Sequence, residues 1–152
     1  MSKYHEIMKK YCDDVLSGKI AAGVYTIKAI KRYINDLKRE KEESFDFFYS
    51  QKDADILCEF AESLKPADLN GECLKLLPWQ VFCMCQLEGW RHKNEPDRKR
   101  YRTGYIEVAR KNGKTTECAA VETDLLLNDG EGAPEIYNVA TMLDQAKLGF
   151  NA

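Results

Sequence analysis

The chain has 152 residues, 44% of them hydrophobic and 32% charged, with a net charge of −2. That length and balance predict one soluble domain, or one with a helical piece attached, able to bury a core without covalent staples. No apolar run approaches the ~20 residues of a membrane helix, and residues 1–10 hold no apolar signal core, so neither a membrane span nor a secretory signal is expected.

Charge comes in blocks along the chain: +5 over residues 1–41, −5 over 42–65, −2 over 66–90, +6 over 91–114 and −6 over 115–152. Two basic blocks suit a polyanionic partner, DNA or nucleotide phosphate, against the plainer reading of a mixed solvated surface. Residues 3–17 predict an amphipathic helix, with Tyr4, Ile7, Met8, Tyr11, Cys12, Val15 and Leu16 on one face and Gly18 available to end it. A second helix is expected over 23–41, its apolar stripe made by Ile27, Ile30, Ile34 and Leu37 and its lysines and arginines largely off that stripe. The aromatic cluster at 45–49 reads as a packing plug. Ser50 is placed to cap a third helix whose buried side is Ile56, Leu57, Phe60, Ala61 and Leu64. Composition changes at Pro66 to Gly71, which predicts a helical region over 1–65 and a second region over 66–152.

Pro78 sits at a first-turn position for a helix that follows. Residues 91–104 read as a loop or an exposed hairpin edge. Tyr105–Ala109 and Ile136–Ala140 have strand composition. Between them, Lys114–Leu127 predicts a helix with Ala119, Ala120, Val121 and Leu125–Leu127 largely buried, and Thr141 is placed to cap a last helix. Strand, loop, helix, strand, helix is the opening of an α/β domain with a parallel sheet. Two strands do not make such a sheet alone, so the sequence reads as truncated. The six cysteines, at 12, 58, 73, 83, 85 and 118, fit reduced thiols packed as small hydrophobes. Their spacing is not that of a structural zinc site.

The chemistry concentrates in Ala109-Arg-Lys-Asn-Gly-Lys-Thr-Thr116. Gly113 lets backbone N–H groups approach phosphate oxygens, Lys114 neutralises charge on the β- and γ-phosphates, Thr115 offers its hydroxyl to Mg²⁺, and the helix start adds its dipole. The common form of this loop has a further glycine where Val108 stands. Arg110 is placed either to stabilise charge on the transferred phosphoryl group or to pair with an acidic neighbour. Gln80, before the loop-bearing strand, has an amide able to read an adenine edge. Trp79 reads as core rather than a stacking platform.

Leu77-Pro78-Trp79-Gln80, the segment Ile106-Glu-Val-Ala-Arg-Lys-Asn-Gly-Lys-Thr115, and Ile136-Tyr-Asn-Val-Ala140 with Gln145-Ala146 together resemble the large terminase subunit of tailed double-stranded DNA phages. The resemblance covers about residues 24–152, and the loop form that lacks the first glycine is typical of that family. It implies N-terminal helices followed by the beginning of a P-loop NTPase parallel sheet of the ASCE/RecA-like kind. It also implies ATP and Mg²⁺ as cofactors, with Gln80 on adenine and Arg110, Lys111, Asn112, Gly113, Lys114, Thr115 and Thr116 around the phosphates and metal. Arg110 and Lys114 are the implied catalytic residues. The implied activity is ATP-driven packaging of phage DNA, with endonuclease in the full-length protein. The implied partners are double-stranded phage DNA, the portal protein and the small terminase subunit, in a homo-oligomeric ring in the host cytoplasm. The metal-holding acidic strand end, the coupling motif and the nuclease carboxylates are expected beyond residue 152, so this chain is expected to bind nucleotide weakly and turn it over poorly. Two other readings are a helicase-like P-loop ATPase, which also places a Gln before the loop, and a non-catalytic remnant that binds DNA or a partner.

Overall fold

The computed structural model describes residues 2–66, 69–109, 111–128, 130 and 133–150. They form two compact units, each discontinuous in sequence. The first comprises Met1–Cys58 and Leu77–Gly104, the second Glu59–Leu76 and Tyr105–Ala152.

The first unit opens with α1 (Lys3–Leu16). Ser2 starts it: the hydroxyl accepts from the His5 N–H at 3.1 Å, satisfying one amide that the first turn leaves open. Gly18, at φ +79°, follows its end. Tyr4, Met8, Tyr11, Cys12 and Val15 face inward, whereas Leu16 is exposed. In α2 (Val24–Arg39) the buried line is Ile30, Tyr33 and Asp36 rather than an all-isoleucine stripe. A buried carboxylate on that line requires a cationic partner, and the fold supplies one below.

The aromatic cluster is more than a plug. Phe47–Tyr49 forms strand β1, which pairs antiparallel with β2 (Trp90–His92), Tyr49 opposite Trp90 and Phe47 opposite His92. The Ser50 N–H donates to the Gly89 carbonyl at 2.7 Å and Lys93 to that of Asp46 at 2.8 Å, extending the ladder at both ends. Beyond His92 the chain turns back on β2. Arg91 bridges Lys99, and the Arg100 N–H donates to the Trp90 carbonyl at 2.9 Å. Residues 91–100 are therefore the hairpin edge of the two readings the sequence allowed.

This return carries much of the second basic block; Arg98 and Arg102 are exposed, whereas Arg91, Lys99 and Arg100 are internal. Arg91 meets Glu88 at 3.3 Å and Asp53 at 3.5 Å, Lys99 meets Glu88 at 3.0 Å, and Arg100 meets the buried Asp36 at 2.8 Å. At the centre lies Trp90, fully buried, with ring centroids of Tyr49 at 5.3 Å, Phe45 at 6.2 Å and Tyr33 at 6.3 Å. Phe82, from α4 (Pro78–Gly89), reaches Tyr33 and Tyr11 at 6.2 and 5.9 Å. Edge-to-face packing of this kind adds to the stabilisation from area buried.

Helix α3 (Gln51–Ser63) begins in the first unit and ends in the second. The Ser50 hydroxyl accepts from the Asp53 N–H at 3.3 Å, as the sequence suggested. Its buried face is Ala54, Leu57, Cys58 and Ala61, and Ile56, expected inside, is exposed. The Cys58 and Cys85 sulfurs lie 3.8 Å apart in the core.

In the second unit the α3 end is tied to the following segment. Leu74 N–H donates to the Leu64 carbonyl at 2.9 Å, and Leu76 N–H to Glu62 Oε1 at 3.2 Å. Then come α5 (Lys114–Asn128) and α6 (Leu143–Phe150), which pack on each other. The expected strands at 105–109 and 136–140 are corrected here: their described residues join no ladder, and the sheet among the described residues is the β1–β2 pair alone. Strand composition has no effect without a neighbour to exchange backbone hydrogen bonds with, and Tyr105 and Val139 stand 86% and 92% exposed. The described residues are thus mixed helix with a small two-stranded antiparallel sheet, and among them no parallel sheet is seen. In α5 the buried face is Glu117, Ala120 and Asp124, while Leu126 and Leu127, expected inside, face out.

Candidate nucleotide-binding site

Val108 and Ala109, which belong to no regular element, precede the loop. Arg110 lies outside the described residues, as do the side chain of Gln145 and all of Asp129. Lys111 has φ +65° and Gly113 φ +71°, with Asn112 between them. Glycine takes that conformation without cost, whereas lysine does so against its Cβ, so the loop holds a conformation that propensity does not favour. The Asn112 amide donates to the Ala109 carbonyl at 3.1 Å and closes the turn from inside. The Gly113 carbonyl accepts from Glu117 N–H at 2.9 Å, the first bond of α5.

The next three residues are Lys114, Thr115 and Thr116, whose backbone N–H groups lie in the first turn, where no intrahelical acceptor exists. The residues from Lys111 to Thr115 are exposed and Thr116 is half-buried. Lys114 makes no ion pair among the described residues. Amides without intrahelical acceptors and a lysine thus share the exposed start of one helix, the kind of place that suits an anion. One residue further, Glu117 turns inward and is 1% exposed, in the first turn of α5 where the dipole favours negative charge. Partial burial and the nearby Glu117 and Glu122 push the Cys118 thiol up, against the opposite pull of Lys114, so it is not primed as a nucleophile.

Gln80 belongs to the first unit and the loop to the second. Gln80 is buried, and its Oε1 accepts from the Leu77 N–H at 2.9 Å. Pro78 at the first position and a glutamine three residues after Leu77 form half of a capping box, which is the structural work the side chain does here. Trp79 is half-buried.

With that geometry in view, residues 78–152 match the terminase large subunit, ATPase domain. This stretch, just under half of the chain, is similar to that family. No curated protein and no solved structure matches the chain. The terminase stretch starts at the proline that opens α4, so α1, α2 and α3 lie outside it.

Within this stretch the exposed side chains of Lys111, Lys114 and Thr115 bring ammonium and hydroxyl donors suited to phosphate oxygens. Toward Mg²⁺ the fit is limited to the Thr115 hydroxyl, and no group of three or more His, Cys, Asp or Glu gathers among the described residues. Sequence reasoning missed Glu117 as a buried member of the first turn. The signal was available in its spacing: Glu117, Ala120 and Asp124 share one helical face, and the small Ala120 marks that face as the packed one.

Proposed function

We propose that this chain binds Mg²⁺-ATP at the loop from Arg110 to Thr116 and is the ATPase portion of the motor that drives double-stranded phage DNA into a capsid. The observation that carries the reading is the start of α5. Left-handed Lys111 and Gly113 deliver the chain to a helix that opens with the exposed residues Lys114 and Thr115, its first-turn N–H groups having no intrahelical acceptor. In this reading the N–H groups of Gly113 to Thr116 hold the β-phosphate, and Lys114 spans the β- and γ-phosphates. Thr115 holds the metal, which supplies charge neutralisation on the phosphates when bound. Arg110 reaches the γ-phosphate, where charge develops on transfer. The wider setting follows the family: DNA, a portal and a small terminase subunit as partners, a ring of subunits, and the host cytoplasm as the place of work.

The test is titration of a fluorescent ATP analogue with Mg²⁺ against this chain and against Lys114→Ala. Loss of a charge-assisted contact predicts binding weakened about 10- to 100-fold. Equal affinity of the two proteins would return the loop to an ordinary turn before a helix.

A further inference from the structure

In the second basic block Arg98, Arg102, Lys111 and Lys114 are exposed, but three cations of the hairpin are internal. Arg91, Lys99 and Arg100 are at most 19% exposed and are paired with Glu88, Asp53 and Asp36. On α2 the exposed side chains are Val24, Tyr25, Lys28, Lys31, Arg32, Asn35 and Lys38, which follow one another at helical spacing along the outer face. Every exposed charge on this helix is positive, and among the described residues none of the four is in an ion pair. The only acid within the helix, Asp36, is buried and turned the other way. On α1, by contrast, Glu6 and Asp13 are exposed among Lys3, Lys9 and Lys10.

Two rings support this stripe. Arg32 lies over the Tyr101 ring at 5.3 Å, which holds its guanidinium in place, and Lys28 sits 5.8 Å from the centroid of Tyr25, itself 81% exposed. Arg102, next to Tyr101, is exposed as well. Glu42 and Glu43, exposed past the helix end, close the stripe off beyond Lys38.

We infer that the outer face of α2, from Tyr25 to Lys38, docks on the phosphate backbone of double-stranded DNA. The span from Lys28 to Lys38 is roughly 15 Å at 1.5 Å per residue. One strand of a duplex offers a phosphate about every 3.4 Å of axis, so about four phosphates face the stripe. Lysine, arginine and an exposed tyrosine hydroxyl are the groups that bind backbone oxygens without reading sequence. A membrane surface fits poorly, because the apolar side of α2, with Ile30 and Tyr33, is buried in the core. The inference rests on the terminase reading only in taking DNA as the polyanion; the face itself lies outside residues 78–152.

The experiment is fluorescence anisotropy of labelled 30-base-pair duplexes of two unrelated sequences over a range of salt, with this chain, with Lys28→Gln/Lys31→Gln/Arg32→Gln, and with Lys3→Gln/Lys9→Gln/Lys10→Gln as a control of equal charge change on α1. The α2 variant is expected to bind at least tenfold more weakly at low salt, with a log–log salt slope shallower by about 2–3, for both sequences alike. The α1 variant should change the slope by less than 1. Equal effects of the two variants would overturn the inference, since net charge alone would then explain binding, and so would absence of duplex binding by the unmodified chain. Competition by polyglutamate as potent as DNA at equal charge would assign the face to an acidic protein instead. ATP-analogue binding on the same samples keeps the readings apart: the α2 variant should bind nucleotide as the unmodified chain does. Salt-dependent DNA docking without nucleotide binding would sink the proposed loop function and leave the α2 face standing. Matching thermal melts of all three proteins exclude unfolding as the cause.

Discussion

Gly89 ends α4 directly before Trp90, the first residue of β2, and a Cβ at that position would lie 2.4 Å from Cε2 of Tyr49. The ring cannot step aside. It packs against Trp90 and Tyr33 at 5.3 and 5.5 Å, and its hydroxyl points at the Met8 sulfur at 3.7 Å. Overpacking a filled core costs about 1–3 kcal/mol, so Gly89→Ala should lower the urea midpoint by that much stability, and an unchanged midpoint would mean the aromatic cluster is looser than its packing indicates. Single residues were legible in the sequence where their role is local. The turn and helix start around Gly113, Lys114 and Thr115 could be read from residue type and order, and α5 does begin at Lys114 directly after left-handed Gly113. Gln80 was read as an adenine-reading amide and not as a cap to Leu77, because the sequence does not say which hydrogen-bonding role the fold gives it. Glu117 was passed over because burial of a carboxylate depends on the face that packs.

Between elements, Arg100 joins the hairpin return to α2. Its guanidinium lies over the rings of Phe47, Tyr101, Trp90 and Phe45, at 4.4 to 5.4 Å, and makes a close ion pair with Asp36 rather than an aligned hydrogen bond. Both side chains are largely withdrawn from water, so deleting one leaves the other charge uncompensated. Arg100→Met should cost about 3 kcal/mol, softened by Arg39, which stays 3.9 Å from Asp36. The double variant Asp36→Leu/Arg100→Met should recover part of that loss in chemical denaturation. Additive losses would show that the two residues do not act as a pair. Helices were the legible elements, since a 3.6-residue period is written within one segment; α1, α2 and α4 begin within a residue or two of their expected starts. Strands were not, because β1 and β2 are three residues each and 43 positions separate Phe47 from Trp90 in the sequence, as their numbers show. The opposite error occurred at 105–109 and 136–140, where β-branched and aromatic composition met no pairing partner.

Over the whole molecule, buried apolar side chains crowd into the first unit. Among the described residues the second contributes only Ala61, Leu76 and Ala120 to the buried apolar core. The first unit's core also holds several titratable groups kept neutral. Burial pushes the Cys12 thiol up to about 12 from 9.0, with Asp13 and Cys85 adding to the rise, and burial likewise raises the hydroxyls of Tyr11, Tyr33 and Tyr49. The sign follows from proton counting. Between pH 9 and about 12 the unfolded chain has lost the Cys12 proton while the folded chain keeps it, so stability present in full below pH 9 falls as pH rises. One such group contributes a slope of at most about 1.4 kcal/mol per pH unit across that window, and the tyrosines steepen it from about pH 10 upward. Cys12→Ala removes one proton from this alkaline limb. Its stability at pH 8 should be lower by about 1 kcal/mol for the lost sulfur contacts, yet its decline from pH 9 to 11 should be shallower, so the two curves converge or cross. Urea titrations at pH 8, 9, 10 and 11 under reducing conditions measure both curves. Parallel curves would mean that the Cys12 thiol ionises in the folded chain as readily as in the unfolded one, and that the core around Tyr11 and Cys85 admits water.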